Sequence, residues 1–181
     1  MAGALLVDAC ARRSVSVSVS SAGFLFDGHP ASATTVKVMH ERGIDLRAHR
    51  SRLVTADLIA AADLVLTMER RHARDLIVEF GRADIVHTLK GFATSVSSLL
   101  FGDGGNATQA DDSVVVDVST LVHAADHIRP ADALLGDARP DEVADPHGRS
   151  RRAHRRTADE ITAAVEAIAV VLEVAGARAI R

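Results

Sequence analysis

The chain has 181 residues, with 24 Asp plus Glu against 21 Lys plus Arg, and its formal net charge of −3 gives no general attraction to nucleic acid or to an anionic membrane. Hydrophobic residues make up 48% of the chain, which excludes extensive intrinsic disorder and predicts a single domain over residues 1–181. The single cysteine, Cys10, excludes an intramolecular disulfide and a cysteine-rich zinc site. We find neither a signal peptide nor a membrane-spanning segment in the sequence, so a reducing cytoplasm is the predicted location.

Strands and helices are predicted to alternate along the chain. Apolar residues recur at helical spacing in some segments, and other segments are short apolar runs or alternate valine with serine, as strands do. In chain order the predicted elements are a helix over 1–12, a strand over 15–19, a helix over 31–42, a helix over 53–61, a strand over 63–68, a helix over 69–80, a strand over 84–89, a helix over 92–101 and a helix over 157–179. This alternation predicts an α/β layer fold with a parallel sheet. The glycine-rich, acidic segment at 102–113 is predicted to be a surface insertion.

Four sequence segments carry a family resemblance. They are SAGFLFDGHP from Ser21, RGIDLRAHRSR from Arg42, ADLVLTMERRH from Ala62 and VADPHG from Val143. In content and order they resemble the low-molecular-weight protein-tyrosine-phosphatase family, over residues 1–95 and 140–175. The resemblance implies a three-layer, doubly wound parallel sheet and hydrolysis of phosphotyrosine through a cysteinyl-phosphate intermediate. The implied substrate is a phosphotyrosine protein or an aryl phosphate, and no cofactor or metal is implied.

The resemblance also implies roles for five residues. Asp145, in the only Asp-Pro pair of the chain, matches the family's general acid; an ordinary turn carboxylate is the alternative. Ser21 and His49 match residues that support the phosphate loop through hydrogen bonds; a strand-end serine and a solvated loop histidine are the alternatives. Phe24 and Phe26 match the loop that forms one wall of the aromatic slot, and ordinary core positions are the alternative.

The family's phosphate loop, of the form C-x5-R, has no counterpart in this sequence. Its cysteine is the nucleophile, and its backbone N–H groups and arginine bind the phosphate oxygens. Cys10 does not fit, because Ser16 stands where the arginine would be, and we predict a buried, inert thiol there. The first central strand, which leads into that loop in the family, is absent as well. We therefore expect the chain as it stands to be inactive, with two strand edges lacking a partner.

Two explanations of this absence remain open. Met1 is an internal methionine and the full product is an active phosphatase, or the chain is a truncated, non-catalytic module that recognises phosphate or a partner protein. In the second case, a partner that completes the sheet is expected.

Two further features point to other functions. A run of five arginines, Arg149, Arg151, Arg152, Arg155 and Arg156, could steer a phosphoester or bind nucleic acid, but no aromatic residues interleave, and a solvated arm is favoured over nucleic-acid binding. His123 and His127 have the i,i+4 spacing of two metal ligands, without an evident third ligand.

Overall fold

The computed structural model describes residues 1–102, 118–130, 132–135, 140–176 and 178–180. The predicted insertion at 102–113 lies, apart from Gly102, outside the described residues and stays a prediction.

The described elements alternate largely as the sequence predicts. In chain order they are α1 (Ala2–Ala11), β1 (Ser16–Val17), α2 (Ala33–His40), α3 (Ala56–Ala60), β2 (Val65–Thr67), α4 (Arg70–Phe80), β3 (Val86–Thr88), α5 (Leu89–Phe101), α6 (Val118–Ile128), α7 (Arg151–Val174) and β4 (Arg178–Ile180). Strand pairing is parallel throughout the described sheets, with β2 beside β3 and β1 beside β4. The α/β class with a parallel sheet is therefore confirmed.

The helix starts follow from side-chain capping. Ser32, Thr55, Thr88 and Ser150 each accept a hydrogen bond from a backbone N–H in the first turn of α2, α3, α5 and α7, satisfying a group that the helix itself leaves unpaired. The prediction of a last helix over 157–179 was wrong at both ends, because α7 spans Arg151–Val174 and Arg178–Ile180 forms β4. Ser150 caps that helix, so the arginine-rich segment forms its first two turns and is not an arm ahead of it.

The hydrophobic core lies where α1, α5 and α7 pack together. The apolar face of α7 is buried along its length, through Ile161, Val165, Ile168 and Leu172. Cys10 lies on the buried face of α1 and is fully inaccessible to solvent. Within the described part of the chain, no helix combines the length and the hydrophobicity needed to cross a membrane.

One edge of β2 has no strand partner among the described residues. On the other edge, the Val65 amide donates to the Ile85 carbonyl at 2.9 Å and pairs β2 with β3. Successive amides of a strand point to opposite edges, so the Leu66 amide points away from β3. Consistent with an open edge, Val65 and Leu66 are only half-buried, whereas Val86 in β3 is fully buried. The predicted strand at 63–68 is thus present as β2, Val65–Thr67, and only its edge toward β3 is paired among the described residues.

Candidate functional site

The first turn of α1 lies against Ser21. A Cβ atom placed on Gly3 would be 3.8 Å from the Ser21 Cβ and 3.4 Å from a methyl group of Val19, so the helix start and the end of the first strand segment are in close contact. The α-amino group of Met1 lies near His49, and burial, that positive charge and Arg50 together lower the His49 pKa. The structure therefore brings two of the predicted site residues, Ser21 and His49, to the amino-terminal end of α1.

Two loops are joined beside this helix end. The Gly23 amide donates to the Arg52 carbonyl at 2.9 Å, and the Arg52 side chain donates back through Nε to the Ser21 carbonyl, also at 2.9 Å. These bonds fix the loop that carries Phe24 and Phe26. The same loop is bonded again farther along, where the Ser51 amide donates to the His29 carbonyl at 2.8 Å.

Phe24 and Phe26 are surface residues, with 37% and 59% of their area exposed, so the alternative of ordinary core positions is wrong. Phe24 stacks on His72 of α4, with ring centroids 5.1 Å apart and an interplanar angle of 27°. Phe26 lies farther out on the loop and packs at an angle against His29, with a centroid distance of 5.2 Å. The Phe24–His72 pair thus forms an exposed aromatic wall next to Ser21.

Asp145 lies in an exposed turn near the same end of α4. Its carboxylate accepts a hydrogen bond from the His147 amide at 2.9 Å, and its charge contributes to the raised pKa of Arg71, mainly caused by Glu69. Arg71 and His72 are neighbours at the start of α4. Asp145 therefore lies near the same helix end as the Phe24–His72 pair.

A buried ion pair anchors the segment that leads to Asp145. Arg70 bonds Asp141 through two nitrogens, with Nε 3.0 Å and Nη2 2.7 Å from Oδ1, and its Nη1 donates to the Leu135 carbonyl at 2.8 Å. Only 10% of the Arg70 side chain and 20% of the Asp141 side chain are exposed. Two residues on, the Val143 amide donates to the Met68 carbonyl at 2.9 Å, at the end of β2. We call the Arg70–Asp141 pair and the Val143–Met68 bond the acid-loop clamp.

Cys10 has the surroundings of a structural thiol. It is buried in α1, and burial is the main cause of its raised pKa; Glu166 adds to this and Arg13 opposes it. A reactive cysteine needs the opposite, an exposed thiol with a lowered pKa. The structure agrees with the predicted inert thiol.

The basic run is partly neutralised. Arg151 and Arg155 both pair with Glu41, and Arg156 pairs with Glu160 at 3.2 Å. These pairs reduce the positive charge available to a nucleic-acid backbone.

The two histidines with metal-ligand spacing are exposed on α6. Across the described ranges, no group of three or more His, Cys, Asp or Glu side chains is arranged to hold a metal ion.

Sequence reasoning missed His72 and the acid-loop clamp. His72 was recognised only as a helix position, and its partner Phe24 is 48 residues away, so periodicity carried no signal for the contact. Arg70 and Asp141 are separated by 71 residues. The available hints were an arginine at the start of the helix that follows β2 and an acid shortly before Asp-Pro.

The fold is of the low-molecular-weight phosphatase type. The family model for the low molecular weight phosphotyrosine protein phosphatase matches residues 1–100, and the chain belongs to this family.

Several relatives resemble the chain in sequence or structure. A probable low molecular weight protein-tyrosine-phosphatase, EpsP, of Ralstonia solanacearum is 41% identical over 61 residues, covering 33% of this chain and 42% of the relative. A protein-arginine-phosphatase of Bacillus subtilis is 38% identical over 96 residues, covering 52% of this chain and 63% of the relative. The solution structure of a low molecular weight protein tyrosine phosphatase from Bacillus subtilis superimposes with a TM-score of 0.65 at 26% identity, covering 96% of this chain and 87% of that one. The sequence matches thus span less than two thirds of either curated relative.

Proposed function

We propose that this chain is the scaffold of a protein phosphatase in which Asp145 is the general acid, and that a strand and a C-x5-R loop outside these 181 residues supply the nucleophile. The observation that carries the proposal is the position of Asp145, exposed in a turn held by the acid-loop clamp and linked through α4 to the Phe24–His72 wall. The open edge of β2 is where the strand would pair.

The reaction has two steps. The cysteine thiolate attacks phosphorus and the bond to the leaving oxygen breaks, while Asp145 gives its proton to that oxygen. Asp145, now a carboxylate, then takes a proton from a water molecule whose oxygen attacks phosphorus. The sulfur–phosphorus bond breaks, and inorganic phosphate and the thiolate are released.

The amino-terminal end of α1 fits the phosphate-binding role. The N-terminus of a helix presents unpaired N–H groups and a partial positive charge, which favour a bound phosphate. Ser21 and His49 lie at this end, where hydrogen bonds from them can hold the loop. Phe24 and His72 offer a flat surface for the ring of an aryl phosphate.

Phosphotyrosine proteins and aryl phosphates are the substrates we propose. Since one relative is a protein-arginine-phosphatase, phosphoarginine is the second substrate to compare. A non-catalytic phosphate-recognising or interaction module is the alternative function. Nucleic-acid binding is disfavoured by the pairing of Arg151 and Arg155 with Glu41.

Turnover of p-nitrophenyl phosphate by two forms of the protein tests the proposal. The 181-residue chain is expected to give no turnover, because Cys10 is buried and has a raised pKa. The same chain is then extended at its start by the strand and C-x5-R loop of the low molecular weight protein tyrosine phosphatase from Bacillus subtilis. This extended protein is expected to be active. A Cys10→Ala variant of the extended protein is the matched control and should keep full activity.

Two results would contradict the proposal. Turnover by the 181-residue chain that disappears in Asp145→Asn would show that these residues already contain a nucleophile. A folded extended protein without turnover would favour the non-catalytic module.

A further inference from the structure

A cavity of about 380 Å³ opens at the carboxyl end of β3, between the start of α5, the end of α6 and the segment at 140–141. Its volume is in the range of small-molecule sites, roughly 300–1,000 Å³. Of the residues assigned to catalysis or substrate binding above, Asp145, Phe24, Phe26, Ser21 and His49, none lines it. It is therefore a concave site apart from those residues.

Much of the cavity wall is apolar and rigid. The apolar lining includes Leu134, Pro130 and Phe92, of which Phe92 is only 1% exposed. On one side the wall is the Arg70–Asp141 pair, to which Thr88 donates through Oγ1 at 3.3 Å. A wall fixed by buried packing and by an ion pair favours a preformed site.

His87 gives this wall an unsatisfied polar atom. The side chain is 2% exposed, and its Nε2 atom has no hydrogen-bond partner in the part of the chain that the structure describes. Burial, with Arg129 adding to it, lowers the His87 pKa to about 4, so the ring is neutral at physiological pH. Buried polar atoms in native proteins nearly always have a partner, and this one lacks it.

Lys90 gives the cavity an uncompensated positive charge. Arg70 and Arg129 also line it, but each is paired with a carboxylate, Asp141 and Asp126 respectively. The Lys90 ammonium donates only to the Glu142 carbonyl, at 3.3 Å, and no carboxylate of the described residues pairs with it. An ammonium has three donors, so further hydrogen bonds are available to a ligand.

We propose that this cavity binds a small organic carboxylate, with its carboxylate on Lys90 Nζ and its apolar body against Leu134 and Pro130. The apolar part of the lining favours a ligand with a hydrocarbon or aryl body, and the single unpaired ammonium favours one anionic group. The proposed ligand does not rest on the proposed phosphatase activity, although the Arg70–Asp141 pair belongs both to this cavity and to the acid-loop clamp.

Amide chemical shifts of the 181-residue chain, titrated with benzoate, test this site. We expect saturable shifts of the Thr88–Ser95 amides with a dissociation constant of about 1 mM, roughly −4 kcal/mol. Benzyl alcohol, which lacks the charge, and inorganic phosphate, which lacks the apolar body, should each bind at least about tenfold more weakly. Lys90→Met should weaken benzoate binding by roughly tenfold. Lys37→Met, at an exposed position of α2 outside the cavity, is the matched control and should leave binding unchanged.

Several results would overturn the proposal. These are benzoate shifts absent from Thr88–Ser95, equal affinity for benzoate and benzyl alcohol, or equal benzoate affinity in the Lys90→Met and Lys37→Met variants. The comparison of the three probes uses the unaltered chain, so it remains decisive if Lys90→Met does not fold. Phosphate binding near Ser21 and His49 concerns the proposed function and has no bearing on this cavity.

Discussion

In the protein extended by the strand and C-x5-R loop, Asp145→Asn is expected to lower kcat for phenyl phosphate by about 10²–10⁴-fold. The amide of asparagine cannot give a proton to the phenolate. The phenolate must then leave as an anion, which slows cleavage of its bond to phosphorus. The KM should change little, because Asp145 lies in an exposed turn and is not part of the phosphate-binding end of α1. Steady-state kinetics of the two proteins measures both values.

Leaving-group dependence gives this prediction its control. The effect of Asp145→Asn should be smaller on p-nitrophenyl phosphate, whose leaving group is a weaker base and needs less protonation. Asp132→Asn, at an exposed turn carboxylate, should leave kcat unchanged on both substrates. Equal losses on the two substrates, or no loss at all, would show that Asp145 is not the general acid.

Removing one partner of the acid-loop clamp is expected to destabilise the fold strongly. Arg70 is buried, with only 8% of its area exposed. Asp141→Ala leaves its guanidinium group without a carboxylate partner. Breaking a buried ion pair in this way costs about 3–5 kcal/mol of unfolding free energy. Urea unfolding of the variant and of the unaltered chain measures the difference.

An exposed ion pair serves as the comparison. Asp159→Ala removes the partner of Arg42, but the Asp159 side chain is 71% exposed, and the loss should stay below about 1 kcal/mol. The double variant Arg70→Met/Asp141→Leu should be less destabilised than Asp141→Ala, since it leaves no unpaired buried charge. A loss in Asp141→Ala no larger than that in Asp159→Ala would contradict the structural role of the clamp.

Local patterns in the sequence were enough to predict most elements. Alternating valines predicted the strand at 15–19, of which β1 keeps only Ser16–Val17, and Gly43 marked the end of α2 closely. The start of α7 was missed because the arginines carry no apolar periodicity, although Ser150 was the capping signal. Apolar periodicity shows which face of a helix is buried, and the first two turns of α7 bury His154 and Thr157, which are not apolar.

The site was predictable where it depends on motifs and hidden where it depends on tertiary contacts. The order of four motifs pointed to Ser21, His49 and Asp145, and the structure brings the first two together at α1. The stacking of Phe24 on His72 and the pairing of Arg70 with Asp141 join distant segments, and only the folded chain reveals them.

Hydrogen exchange at Leu66 tests the central claim, that β2 accepts a strand which leads into the phosphate loop. The Val65 amide, bonded to Ile85 in β3, is an internal control in the same strand. In the 181-residue chain the Leu66 amide should exchange rapidly while Val65 is protected. In the extended protein both should be protected, with Leu66 slowed by roughly a hundredfold or more, as expected for an amide that enters a sheet. A Leu66 amide that exchanges equally fast in an active extended protein, or that is already protected in the 181-residue chain, would contradict the claim.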